Sequence, residues 1–268
     1  MVIFLEGYSM DNNIYRDIAS ERGLPLNFVV KDYYLMRLLQ YVSMYGNEMF
    51  ILTGGTAINK VYLGEKARFS EDADFEIAGK KDIRSVIAQI DVIRANSSDF
   101  FKTERRLLKI YGQVDFFYET SNKFLDKVRL DVAFNEFGEK SSFQKVNEIT
   151  SPFSQERVHN LYVYKLEELL ARKLYAMYNR TEGKDLYDFF YGIQIADNSK
   201  LYNAIERFFK RKSLVIEKTL PAIIDKLRST KEDYIAAKVN NYIPFQFRPK
   251  SWKILSNSIA DFISRLTK

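Results

Sequence analysis

The chain has 268 residues, 46% hydrophobic and 28% charged, with a formal charge of +6. This is the composition of a globular protein that buries one or two cores, not of a disordered chain. With no cysteine and a single histidine, His159, it excludes disulfides, thiolate zinc sites and cysteine nucleophiles, and argues against a Ser-His-Asp triad or a multi-histidine metal centre.

Residues 1–6 are apolar up to Glu6 but lack a basic flank and a small-residue cleavage site, so they do not read as a signal peptide. No apolar stretch approaches the roughly 20 residues that cross a membrane. The expectation is a cytoplasmic protein with no membrane partner. Residues 12–22 and 31–45 read as helices, the second with Tyr34, Leu35, Leu38, Leu39 and Val42 at helical spacing. Residues 49–53 form an apolar run that Gly54 and Gly55 stop, a buried strand entering a tight turn. A short helix over 57–63, a strand over 74–77 and a helix over 81–97 follow. The segments 106–111, 114–118 and 128–134 are strand-like, rich in β-branched and aromatic residues. Beyond Ser154 the period is helical, over about 160–180, 184–194, 199–211, 214–228, 231–239 and 250–266. The pattern predicts an α+β fold: an α+β domain over residues 1–150 and an all-α domain over 151–268.

Charge divides the same way. Residues 151–268 carry 21 Lys+Arg against 13 Asp+Glu, whereas residues 1–150 carry 20 against 22. An acidic half doing metal chemistry beside a basic half gripping a polyanion is one reading; compositional drift toward lysine is the other.

The chemistry concentrates between Leu52 and Phe75. Gly54 and Gly55 let a backbone approach a bulky anion, Thr56 adds a hydroxyl, and the helix that follows aims its first N–H groups at phosphate. On a strand, Asp72 and Asp74 point to one face, where two such charges repel unless a cation sits between them. Hard oxygen ligands favour Mg²⁺ or Mn²⁺, which also bridge triphosphate oxygens. Either feature alone is commonplace, a turn or a solvated loop; order and spacing together point to nucleotidyl transfer from an NTP. A third carboxylate belongs on a neighbouring strand. Asp131, in an otherwise apolar strand, is preferred as a metal ligand, with Asp115 as its rival, and either could instead be held by an arginine. Further on, Lys173 borders an apolar helix face, and Asp185 and Asp188 share one face with Arg180 and Lys184 nearby. A triphosphate contact for Lys173 competes with an ordinary surface ion-pair cluster. Tyr162, Tyr164, Tyr175 and Phe245 are candidates to stack on unpaired bases, or core residues.

Together, Gly54-Gly55-Thr56-Ala57, Arg68, Ser70, Asp72, Asp74, Lys173, Arg180, Lys184, Asp185 and Asp188 resemble the AbiEii/AbiGii toxin family of nucleotidyltransferases, the toxin half of AbiE-type toxin–antitoxin and phage-defence systems. The resemblance covers most of the chain and implies a polymerase-β-like nucleotidyltransferase core with a helical C-terminal domain. It implies Asp72, Asp74, Lys173 and Asp185 as catalytic residues, with Ser70 also essential. Gly54, Gly55, Thr56, Arg68, Ser70, Lys173 and Asp188 would bind the nucleotide. In the related mycobacterial MenT toxins the acceptor is the 3′ end of tRNA. The resemblance therefore implies an RNA acceptor, tRNA first among them, and a cognate AbiEi-type antitoxin. A protein hydroxyl as acceptor, or a non-catalytic nucleotide-binding module, are the alternatives.

Overall fold

The computed structural model describes residues 12–120 and 123–266. The signal-peptide question over residues 1–6 lies outside the described residues. Two helices lead, α1 (Asn12–Arg22) and α2 (Leu26–Tyr45). A sheet then forms from β1 (Phe50–Leu52), β2 (Asp72–Ala78), β3 (Lys102–Leu107), β4 (Tyr111–Glu119), β5 (Leu125–Gly138), β6 (Phe143–Thr150) and β7 (Arg157–Tyr164). Between β1 and β2 lie α3 (Gly54–Ala57) and a π-helical turn over Ile58–Tyr62; α4 (Ile83–Asn96) connects β2 to β3. The rest is helical: α5 (Leu166–Asn179), α6 (Gly183–Gly192), α7 (Asn198–Arg211), α8 (Ile216–Arg228), α9 (Glu232–Val239) and α10 (Trp252–Leu266).

The strand order is β3-β4-β5-β2-β1-β7-β6. β2 runs parallel to β5 and antiparallel to β1, and β7 runs parallel to β1. Alternation decides which face each side chain takes. Val114, Phe116, Val128, Leu130, Val132, Ala73 and Phe75 are buried and build one core with Leu35, Leu38 and Leu39 of α2 and Val86, Ile90 and Ile93 of α4. Each such aliphatic side chain contributes roughly 1.5–3 kcal/mol relative to exposure. The helical part has its own core around Leu170, Leu174, Phe189, Ile205, Phe209 and Trp252. The two cores are joined by Arg172, whose guanidinium donates to Glu76 of β2 (2.8 and 2.9 Å) and lies 3.8 Å from the Tyr164 ring centroid.

The sheet departs from the sequence reading in three places. The segment 106–111 is not one strand but the β3–β4 hairpin, which turns over Leu108 to Ile110. β6 is a polar strand with one fully buried residue, Ile149, held by pairing with β7, so no alternation marks it. Residues 160–164, expected in a helix from 160, belong to β7, and α5 starts at Leu166. The cause is Asn160, whose φ of 59° kinks the strand. Val158 and Leu161 therefore both point inward, and their spacing imitates a helix. As a result the sheet continues past Ser151 to Tyr164. Among the described residues no helix is long and apolar enough to cross a membrane.

Candidate active site

Leaving β1, the chain turns at Gly54 with φ of +70°. A Cβ on Gly54 would sit 2.3 Å from Asp74 Oδ2, and one on Gly55 would sit 2.6 Å from an Arg68 Nη and 3.3 Å from Ser70 Oγ. Both glycines are needed, because the turn is pressed against an acid and a base from the facing segment. Asn59, in the π-helical turn, donates to Gly55 O (2.9 Å) and Asp188 Oδ1 (2.8 Å) and accepts from Arg68 N (2.7 Å). A π-turn adds a residue to the helix, a distortion frequent at functional sites.

Asp72 and Asp74 occupy β2 on the same face, as their spacing requires. Asp131 is directly opposite Asp74 on β5, and Gln113 opposite Asp131 on β4. Burial, then Asp131 and Asp72, push the Asp74 carboxyl up to about 7. Partial burial and Glu71 raise Asp72, and burial raises Asp131. Asp115 is different. Lys127 (2.6 Å) and Arg129 (2.8 Å) grip it and outweigh its burial, holding its carboxyl below the usual range. Of the two rivals, Asp115 takes the ion-paired role and Asp131 is the one that faces Asp74. Asp131 also accepts from Gln113 Nε2 (3.0 Å), and among the described residues no three carboxylates stand together as a ready metal cluster. Asp72 and Asp74 nonetheless suit a hard divalent cation: burial and the neighbouring Asp131 and Asp72 charges, which together raise Asp74, are what such an ion offsets.

The helical half closes the other side. Lys173 of α5 is buried between Asp185 (2.8 Å) and Asp188 (2.7 Å) of α6. Burial alone would lower its pKa, but Asp188 and Asp185 raise it. Arg180 Nε lies 3.1 Å from Asp185 Oδ2. Lys173 and Arg180 overcome Asp185's burial and keep it below the carboxylate range. Asp185 and Asp188 are 1% and 0% exposed, so this is a buried network, not a surface ion-pair cluster. Gly54, Gly55, Arg68, Ser70, Asp72, Asp74, Lys173 and Asp185 all line one cleft of about 320 Å³.

Two candidates stand behind it. Thr56 is fully buried and spends its hydroxyl on Ser70 Oγ (2.9 Å) and Asp72 O, bracing both. Asp188 holds Lys173, Arg68 (2.6 Å) and Asn59. Arg68 itself is pinned between Asp188 and Phe69 O (2.9 Å), with its buried Nε unpartnered among the described residues. Tyr164 is no stacking surface, being buried with its hydroxyl on Glu76; Phe245 is exposed. The sequence reading overlooked Asn59, Glu71 and Glu182. It also overlooked Tyr242, whose ring lies 3.5 Å under the Lys184 ammonium at the mouth of the cleft. A lone Asn or Tyr carries no periodic signal, so only the fold reveals them.

Among curated proteins no sequence matches the chain. Solved structures resemble it in fold. MenT4, a nucleotidyltransferase toxin of Mycobacterium tuberculosis, is 16% identical with a TM-score of 0.67, over 96% of this chain and 90% of that one. JHP933 of Helicobacter pylori is 16% identical with a TM-score of 0.53, over 91% and 95%. A putative nucleotidyltransferase of H. pylori is 13% identical with a TM-score of 0.51, over 97% and 98%. The family model described as nucleotidyl transferase AbiEii toxin of a Type IV toxin–antitoxin system matches residues 37–265. With an α+β nucleotidyltransferase core, a helical C-terminal part and this match over most of its length, the chain belongs to the AbiEii family of nucleotidyltransferase toxins.

Proposed function

We propose that the cleft binds an NTP and that the protein transfers its nucleotide to the 3′ end of an RNA, tRNA first among candidates. One observation carries this reading: residues about a hundred positions apart, Asp72 and Asp74 on β2 and Lys173 and Asp185 on α5 and α6, share one polar cleft with the Gly54-Gly55 turn.

Gly54, Gly55 and Ser70 form the cradle for the phosphate tail, which Thr56 braces from behind. Lys173, Arg180 and Lys184 neutralise charge that builds on the leaving pyrophosphate. Asp185 and Asp188 keep Lys173 protonated and aimed. Asp72 and Asp74 would hold a divalent cation, Mg²⁺ or Mn²⁺, which when bound neutralises phosphate oxygens and acidifies the acceptor hydroxyl. Asp131, beside Asp74, takes the hydroxyl proton. The acceptor oxygen then bonds to the α-phosphorus as the bond to the β-phosphate oxygen breaks and pyrophosphate departs. On this reading the α+β half, whose sheet runs to Tyr164, and the basic helical half that starts at Leu166 are two domains that share the site. Membership of a toxin–antitoxin family supports a cognate AbiEi-type antitoxin, cytoplasmic action on translation and a phage-defence setting.

The test is incubation with each labelled NTP, Mg²⁺ and total tRNA. Wild type should label tRNA, and Asp72→Ala/Asp74→Ala should not. Equal labelling by both proteins sinks the catalytic reading, whereas label appearing on protein instead of RNA moves the acceptor to a protein hydroxyl.

A further inference from the structure

The sheet face that carries Asp72 and Asp74 does not end at β2. Register places Asp131 beside Asp74, Gln113 beside Asp131 and Arg106 beside Gln113. The next row runs Asp72, Arg129, Asp115, Glu104, and the one after it Lys127, Phe117, Lys102. Laterally paired residues share a face, and the contacts agree: Gln113 donates to Asp131, and Lys127 and Arg129 to Asp115. Over β3 this face is open. Lys102, Glu104 and Arg106 are exposed, whereas Thr103 and Arg105, on the opposite face, are partly covered. The Arg106 side chain is 62% exposed.

Two arguments make this face more than a solvated surface. The first is direction. Gly54 and Gly55 follow β1, and Lys173, Arg180 and Lys184 come from α5, α6 and their connection, so the phosphate side of the cleft lies toward β1. β2 separates β1 from β5 in the sheet. In-line displacement puts the attacking and leaving oxygens on opposite sides of the phosphorus, so an acceptor enters from the β5 side. The second is charge. Lys102, Arg106, Lys127 and Arg129 carry positive charge from the β3 edge to the acidic centre, interleaved with Glu104, Asp115, Glu119 and Asp131. Phe117, half-buried with the Lys127 ammonium 5.6 Å from its ring centroid, adds an aromatic surface.

We infer that the open face of β3, β4 and β5 is the docking surface for the single-stranded end of the RNA acceptor, with its backbone on Lys102, Arg106, Lys127 and Arg129. The inference rests on the RNA-acceptor reading above and moves the main RNA contact from the basic helical half to the sheet.

Lys102→Gln/Arg106→Gln and, separately, Lys127→Gln are titrated with fluorescent single-stranded RNA and with tRNA over a range of salt. The double variant should bind RNA about tenfold more weakly, with a slope of log affinity on log salt shallower by about 1.4, the share of two phosphate contacts on a single strand. Lys127→Gln, away from the sheet edge, should lose affinity in the same direction. NTP binding should stay at the wild-type level in both. Lys210→Gln/Lys218→Gln, on exposed lysines of the helical half, should bind RNA normally. Unchanged affinity and slope in both sheet variants, or a loss confined to the helical variant, overturns the surface while leaving the enzyme reading intact. If wild type binds NTP but neither RNA, and label goes to protein, the acceptor reading fails and this inference with it.

Discussion

Two buried lysines show how one residue type serves opposite ends. Lys60, in the π-helical turn, is paired with Asp32 of α2 and lies 3.0 Å from Ser151 Oγ, away from the cleft. Ser151 Oγ also donates to Asp32, and Ser154 N donates to it at 3.2 Å. Burial pushes the Lys60 pKa down. Lys173 is equally deep but stands between two carboxylates, and they push its pKa up. The first is a bolt between α2, the glycine turn's helix and the β6–β7 connection. The second is a held positive charge facing the cleft. A second carboxylate makes the difference, since a single partner barely offsets the desolvation of an ammonium.

Removing each lysine separates the two roles. Lys60→Ala strands Asp32 and should destabilise the fold by about 3–5 kcal/mol in urea unfolding, with kcat per folded molecule unchanged. Lys60→Met/Asp32→Asn keeps the acceptor for Ser151 and Ser154 without a buried charge, and should recover more than half of that loss. If it recovers none, the pair is not the bolt described here.

Asp74 extends the comparison to an acid whose burial and carboxylate neighbours, Asp131 and Asp72, outweigh Lys173 and Arg180. Its carboxyl is raised from 3.8 to about 7, so between those values the folded state holds a proton that the unfolded state has released. Stability of the metal-free protein therefore falls as pH rises from about 4 to 7 and stays low above. Asp74→Asn should remove that dependence and raise stability at pH 8 by up to roughly 4 kcal/mol, at 1.36 kcal/mol per pKa unit. Thermal melts in a chelator across that range read the effect, and a wild-type curve rising with pH would contradict it.

Lys173→Ala should behave as the converse of Lys60→Ala. Arg180 still meets Asp185, and Arg68 and Asn59 still meet Asp188, so the stability loss should be smaller than for Lys60→Ala. Labelling activity should drop roughly 100–1000-fold, or about 2.7–4 kcal/mol of barrier, as for other charge-stabilising groups. Equal losses of stability and unchanged activity would erase the distinction.

What was legible in the sequence was what a local period or a short spacing encodes. Asp72 and Asp74 share a face because strands alternate, and Asp185 and Asp188 do because helices return every three to four residues. The glycine pair announced a turn by its backbone freedom, and the long amphipathic helices after Leu166 followed their apolar stripes. Tertiary structure alone decided the rest. Asp131 faces Asp74, and Asp115 faces two cations, because strand register is set between segments far apart in the chain. β7 lies in the sheet between β1 and β6 because pairing with both strands overrides the helix-like spacing that the kink at Asn160 creates. Thr56 and Asp188 went behind the cleft because the hydrogen-bond partners that bury them come from other elements. The face that stayed open over β3 is the same kind of fact: exposure belongs to the packed molecule, and no window of residues contains it.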